Sequence, residues 1–175
     1  GHYLLIDSGY GNWDDHQEVN DPEAHNLFMV GGEGPGTAEA WIDGVRTEAG
    51  LQIASGHTSY QGLDWTRSLA LAGEDVLVVW DQVEPTEGTL DLTLMTQGPN
   101  DSLELGAQGA QWAVDGLELQ VVVIADEALT CSQRSEQHAF SYGDYQEHGV
   151  LEANLSADSP THWLTVARIA EPGAD

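Results

Sequence analysis

Short apolar stretches recur along the whole chain, broken by Gly, Asp, Asn and Pro at intervals of roughly 8–12 residues, the rhythm of an all-β domain. They fall at 3–7, 27–30, 38–43, 51–54, 67–72, 76–83, 90–96, 111–114, 117–124, 129–132, 138–142, 150–155 and 162–169. Several alternate with a period of two. In Leu90-Asp91-Leu92-Thr93-Leu94 the even positions are apolar, and in Leu117-Glu118-Leu119-Gln120-Val121 the odd ones are. That period sends successive side chains to opposite sides of a sheet, leaving one face for a core and one for water. No segment keeps a 3.6-residue period long enough to predict a helix, and no fixed-length repeat points to a propeller.

The breaks between stretches specify turns. Asp115-Gly116, set between two strand-like runs, is a strong short-range hairpin signal. Asp43-Gly44 reads as a second, joining Trp41-Ile42 to Val45-Arg46, and Gly73-Glu74-Asp75 links two more strands. The expectation is one antiparallel β-sandwich domain over residues 1–175, of roughly 12–14 short strands.

Composition narrows the partners. Four basic residues, all Arg, face 30 acidic ones for a formal charge of −26, a surface that repels nucleic acid and anionic membranes. No apolar run approaches the roughly 18 residues that span a bilayer, and no basic stretch followed by an apolar one at the start reads as a signal peptide. With no initiator Met, and Gly1 leading straight into a strand-like run, the chain reads as processed or as part of something longer. Cys131 is single, so no internal disulfide forms, and a lone Cys in a strand reads as a small core residue. The glycine-dense 31–36 lacks the Lys-Ser/Thr and following helix of a phosphate loop.

Candidate chemistry gathers in the first third. His25-Asn26 follows a polar loop and leads into a strand; Asp43 and His57-Thr58-Ser59-Tyr60 come later. One carboxylate and two imidazoles form a competent first shell for Zn²⁺ with an open position. Seven His in so acidic a chain also produce such trios by chance, and on chemistry alone each His reads as an exposed or hydrogen-bonded structural residue rather than a ligand.

The run Leu4-Leu5-Ile6-Asp7-Ser8-Gly9-Tyr10-Gly11, then Ala24-His25-Asn26-Leu27-Phe28-Met29-Val30-Gly31-Gly32, resembles the heparinase II/III-like family. Arg67-Ser68-Leu69-Ala70-Leu71, followed by Asp75-Val76-Leu77-Val78-Val79-Trp80-Asp81-Gln82-Val83, is similar to a further strand pair of that family. The match in order and spacing covers about the first 85 residues. The resemblance implies the C-terminal, supersandwich-like half of a polysaccharide lyase acting on uronic-acid glycans by β-elimination. An upstream α/α-toroid of the same chain would carry most of the catalytic groups, and this domain alone is not expected to turn over. It further implies a zinc held by His25 and Asp43, with the third position open between His57 and a site without metal. Tyr60 falls where some members place a cleft-facing, supporting Tyr. Asn26 and Arg67 become substrate-facing candidates, Arg67 with a structural role as its rival. Export to the periplasm or outside the cell, and an acidic or neutral polysaccharide as partner, follow from the same resemblance.

The rival is a non-catalytic carbohydrate-binding or structural sandwich. Indole faces suit sugar rings. Trp13 and Trp65, in polar surroundings, read as the exposed candidates, whereas Trp41, Trp80 and Trp163, in apolar strands, read as core.

Overall fold

The computed structural model describes residues 5–6, 21–141 and 144–173. After a 3-10 turn at Pro22–Ala24 come twelve strands: β1 Phe28–Val30, β2 Ala40–Glu48, β3 Leu51–Tyr60, β4 Leu63–Ala72, β5 Val76–Pro85, β6 Leu90–Gln97, β7 Glu104–Gly106, β8 Gly109–Val114, β9 Leu117–Ala125, β10 Thr130–Ser141, β11 Asp144–Ala157 and β12 Thr161–Ala170. They form a four-stranded sheet, β1-β6-β11-β10, and an eight-stranded sheet, β2-β3-β4-β5-β12-β9-β8-β7, with antiparallel pairing throughout. The antiparallel sandwich read from the sequence is the fold. The runs at 129–132 and 138–142 are one strand, and β7 is additional to the stretches read from the pattern. Of the run at 3–7, only Leu5 and Ile6 are described; neither is in a strand, and Ile6 donates its backbone N–H to the Gln97 carbonyl at 3.4 Å.

The core lies where the two inner faces meet. Phe28, Leu92, Leu94, Leu151 and Ala153 come from the smaller sheet; Leu63, Val83, Trp112, Val121, Val123 and Trp163 come from the larger. The alternation at Leu90–Leu94 and Leu117–Val121 does what period two requires, burying Leu92, Leu94, Leu119 and Val121. A second small cluster joins Met29, Met95 and Val150. Coverage is unequal. β2 is exposed at all nine of its positions, so the β2 side of the larger sheet projects beyond the smaller one.

Three hairpins share one turn chemistry. Asp115-Gly116 joins β8 to β9 with φ of 48° and 85°, as its sequence predicts. Ala49-Gly50 (φ 50° and 85°) joins β2 to β3, and Gln61-Gly62 (φ 50° and 77°) joins β3 to β4. Two successive positive φ values are the mark of a type I′ turn, whose twist matches the flanking strands. The expected turn at Asp43-Gly44 is not one. β2 runs straight through it, and its register against β3 shifts between Ile42 and Gly44. The dipeptide makes a β-bulge, with one extra residue opposite the partner strand.

Two buried residues tie the ends of β6 and β11. The Trp112 indole lies across Gly98 and Gly149, donating to the Gly149 carbonyl at 3.3 Å, and a Cβ on Gly98 would overlap the ring. His148 Nε2 meets Gln97 Oε1 at 2.8 Å. Burial, with His138 edge-on at 5.9 Å, pulls the His148 imidazole down from 6.5 to about 4.

Gly98→Ala should therefore destabilise by about 1–3 kcal/mol, the usual cost of overpacking, with an unchanged m-value in urea unfolding. His148 adds a pH dependence. Its folded pKa lies below its unfolded one, so the unfolded chain binds the proton first. Its contribution is full above pH 6.5, falls as the pH drops towards 4, and is flat below that. Denaturation of His148→Gln across this window should show a shallower acid loss than the parent, the common carboxylate titrations cancelling in the comparison. Equal slopes would show that His148 is not neutral in the fold.

Candidate functional site

Register decides which candidates can meet. Residues paired across strands share a face. Thr58↔Trp65 and Trp65↔Val83, then Gly56↔Arg67 and Arg67↔Asp81, run across the inner face of the larger sheet. Trp41↔His57, His57↔Thr66 and Thr66↔Gln82 run across its outer face. The residues singled out from the sequence therefore divide between two surfaces.

The inner face is organised by a buried ion pair. Asp81 on β5 is fully buried. Its Oδ1 accepts from Arg67 Nε at 2.7 Å and from Trp65 Nε1 at 2.7 Å, and its Oδ2 accepts from Arg67 Nη2 at 3.0 Å. The guanidinium lies 4.6 Å from the Trp65 ring centroid, a cation–π contact. Its Nη1 donates to the Asn26 carbonyl at 2.8 Å, reaching from β4 to the segment before β1. The Asn26 side chain continues the link. Its amide donates to the Ile6 carbonyl at 2.7 Å, and its Oδ1 accepts the Gln97 backbone N–H at 2.8 Å. Gln97 Nε2 in turn donates to the Glu23 and His25 carbonyls at 2.9 and 3.4 Å.

This network assigns work to several sequence candidates. Asn26 is a bracket between the N-terminal segment and β6. Arg67 has the structural role, its charge met by a carboxylate in a bidentate pair. Trp65 is not an open sugar platform: besides its bond to Asp81, it packs edge-on against Phe28 at 5.3 Å and Tyr60 at 6.3 Å. Tyr60 is buried rather than cleft-facing, and its hydroxyl donates to the Phe28 carbonyl at 2.6 Å. Burial pushes that hydroxyl well above its ordinary value, so at neutral pH it is a proton-bearing brace. Trp13 lies outside the described residues.

Beyond Arg67, where the smaller sheet no longer covers the larger, the inner face opens into an apolar groove of about 320 Å³ lined by Ala40, Ile42, Ala54, Gly56, Trp65 and Leu69 among others. Ile42 is 87% exposed beside it.

On the outer face, Asp43 and His57 do come together. The bulge turns the Asp43 carboxylate onto His57, Oδ1 to Nδ1 at 2.8 Å, and Trp41 stacks on the imidazole at 5.1 Å. His25 belongs instead to the segment that Arg67 and Gln97 hold on the inner side. Among the described residues no three His, Cys, Asp or Glu side chains stand together as metal donors. Of the expected shell of His25, Asp43 and His57, the last two are thus a bonded pair with His25 elsewhere, a poor fit to a three-donor zinc site with an open position. The sequence pattern also concealed two exposed indoles. Trp41 is 48% and Trp80 46% exposed, while Trp163 is core as expected. Cys131 is partly buried, and burial pushes its thiol up, away from nucleophilic use.

Removing Arg67 should leave Asp81 buried and unpaired. Arg67→Leu is expected to cost about 3–5 kcal/mol in denaturant unfolding, and the double variant Arg67→Leu/Asp81→Leu to recover much of that loss. If the double variant is no more stable than the single one, the pair is not what fixes this face.

No family model matches the sequence. No curated protein matches it either. Solved structures do match. A heparinase III gene product superposes with a TM-score of 0.85 at 17% identity, over 100% of this chain and 29% of that one. The heparan sulfate lyase of Pedobacter heparinus gives 0.83 at 14%, over 98% and 29%. A further heparinase III gives 0.77 at 16%, over 96% and 28%. At such identities the likeness is one of fold, and this chain spans less than a third of the length of the chains it matches. Its sandwich is that of one domain within heparinase III chains.

Proposed function

We propose that this chain is the sandwich domain of a polysaccharide lyase that cleaves uronic-acid glycans by β-elimination, and that it forms a wall of the substrate cleft. The observation that supports this most directly is the superposition of 96% to 100% of the chain on 28% to 29% of two heparinase III chains and a heparan sulfate lyase. The rest of such an enzyme is then an upstream helical toroid. The groove by Ile42 and Leu69, apolar and left open by the smaller sheet, is the surface suited to dock it.

The chemistry divides accordingly. Elimination needs a base for the C5 proton, an acid for the leaving oxygen and a cation against the uronate carboxylate. On this chain Arg67 is committed to Asp81 and Tyr60 to the Phe28 carbonyl. The base, acid and cations therefore come from the toroid, which also offsets the repulsion between a domain at −26 and an anionic glycan. Arg67, Asn26 and Tyr60 act as positioning residues that hold the His25 segment at the sheet junction. The reading places the enzyme in the periplasm or outside the cell, where such glycans are met. No helix among the described residues is long and apolar enough to cross a membrane.

The test compares the longer protein, with its upstream region, against residues 1–175 alone, on heparan sulfate and on alginate. The longer protein should release chains ending in an unsaturated uronate, seen by ultraviolet absorbance, and the sandwich alone should release none. Absence of unsaturated ends from the longer protein on every uronic-acid glycan tried would remove the lyase reading.

A further inference from the structure

The outer face of the larger sheet carries one arrangement twice. Trp41 stacks on His57 at 5.1 Å and 20°, and His57 Nδ1 meets Asp43 at 2.8 Å. Trp80 stacks on His162 at 5.3 Å and 29°, and His162 Nδ1 meets Asp126 at 2.9 Å. A carboxylate only accepts, so in each set the Nδ1–H donates and the ring is pinned in one orientation. The bond from His162 holds the Asp126 carboxyl below its ordinary value, as a charged acceptor requires. Each imidazole backs one side of an indole that is still about half exposed. The rings are thus fixed before any ligand arrives, which reduces the ordering cost of binding.

Their spacing follows from the topology. Trp41 is on β2 and Trp80 on β5, three strand steps apart, or about 14 Å at the usual inter-strand distance. Between them lie uncharged polar side chains: Thr66 and Gln82 on one row, Ser55 and Ser68 on the next, the two Ser hydroxyls 2.8 Å apart. Arg46 donates to Ser55 at 2.9 Å and pairs with Glu48 at 3.5 Å, so the nearby cation is engaged.

We propose that this outer face is a binding surface for an extended neutral polysaccharide, with Trp41 and Trp80 stacking on two separated sugar rings and Thr66, Gln82 and the Ser pair meeting hydroxyls between them. Aromatic faces present apolar area for the C–H side of a sugar, and the polar row suits its hydroxyl edges. Charge selects against other occupants. Asp43, Asp126 and a net −26 repel a polyanion, and they repel a second copy of this chain. The side chains of this surface point to the opposite side of the sheet from Arg67 and the groove proposed to dock the toroid, so it acts as an anchor rather than as part of the reaction.

The test is affinity electrophoresis of the longer protein through gels containing a soluble neutral glucan, a neutral galactomannan, or heparan sulfate. Retardation is expected on at least one neutral glycan. It should weaken about tenfold in Trp41→Ala and in Trp80→Ala, and vanish in the double variant. Unfolding curves of the variants should match the parent, since both indoles are at the surface. No retardation on any neutral glycan, or retardation unchanged in the double variant, overturns the proposal. So does a shift in sedimentation showing that the double variant dissociates a dimer, which would make the face a self-interface. Uronate turnover is read separately in Trp80→Ala, whose indole, unlike Trp41, does not border the groove by Ile42 and Leu69, so either proposal can fail without the other.

Discussion

A carboxylate sealed between two sheets must be matched or the sandwich does not close, and Asp81 is matched by Arg67 and Trp65 together. Much else is arranged around that requirement. Arg67 keeps one guanidinium nitrogen for the Asn26 carbonyl, so the pair within the larger sheet also fixes the chain that feeds β1 in the smaller one. Asn26 passes the constraint to Gln97, and Gln97 to His148 on β11. Each of these groups is polar, and each bonds to the next. The interior is thereby committed to one register, because shifting any strand by a single residue would send its member of the chain to the opposite face.

The same parity separates two kinds of surface. Towards the smaller sheet, polar side chains are spent on holding backbone, and what remains open is the apolar groove past Arg67. Away from it, His57 and His162 are held by carboxylates and lend their flat faces to indoles. The proposed cleft wall and the proposed platform for an uncharged polymer make opposite demands on charge, which one sheet can meet only by turning a different side to each.

The strand pattern was legible because period two is written directly into runs such as Leu90–Leu94. Hairpins were legible only where the turn residues announce themselves. Asp115-Gly116 does so; Ala49-Gly50 and Gln61-Gly62 place Ala and Gln at positive φ, which no local preference reveals. Asp43-Gly44 carries the same letters as Asp115-Gly116 but lies within a nine-residue strand, where the pairing of β2 with β3 overrides the turn preference and leaves a bulge. The site was harder still. In the run from Val76 to Val83 both faces look apolar, and hydrophobicity alone places Trp80 inside and Asp81 outside. The structure reverses them, because the partners that make Asp81 tolerable inside lie on β4, in another part of the sequence. His25 and Asp43 looked like ligands of one ion for the complementary reason: spacing along the chain carries no information about which side of a sheet each residue serves.

The bulge in β2 has a bearing on how the protein behaves in solution. Among the described residues β2 is an edge of the larger sheet, exposed along its length and carrying Trp41, Ile42 and Val45. Such a border offers unpaired backbone groups to any passing strand. A kink at Asp43 and Gly44 spoils the straight template, and acidity keeps like molecules at a distance. Both salt and acid weaken the second safeguard while leaving the first intact. The border most open to growth by another chain is therefore guarded by geometry close at hand and by charge at long range, and only the geometry survives a change of medium.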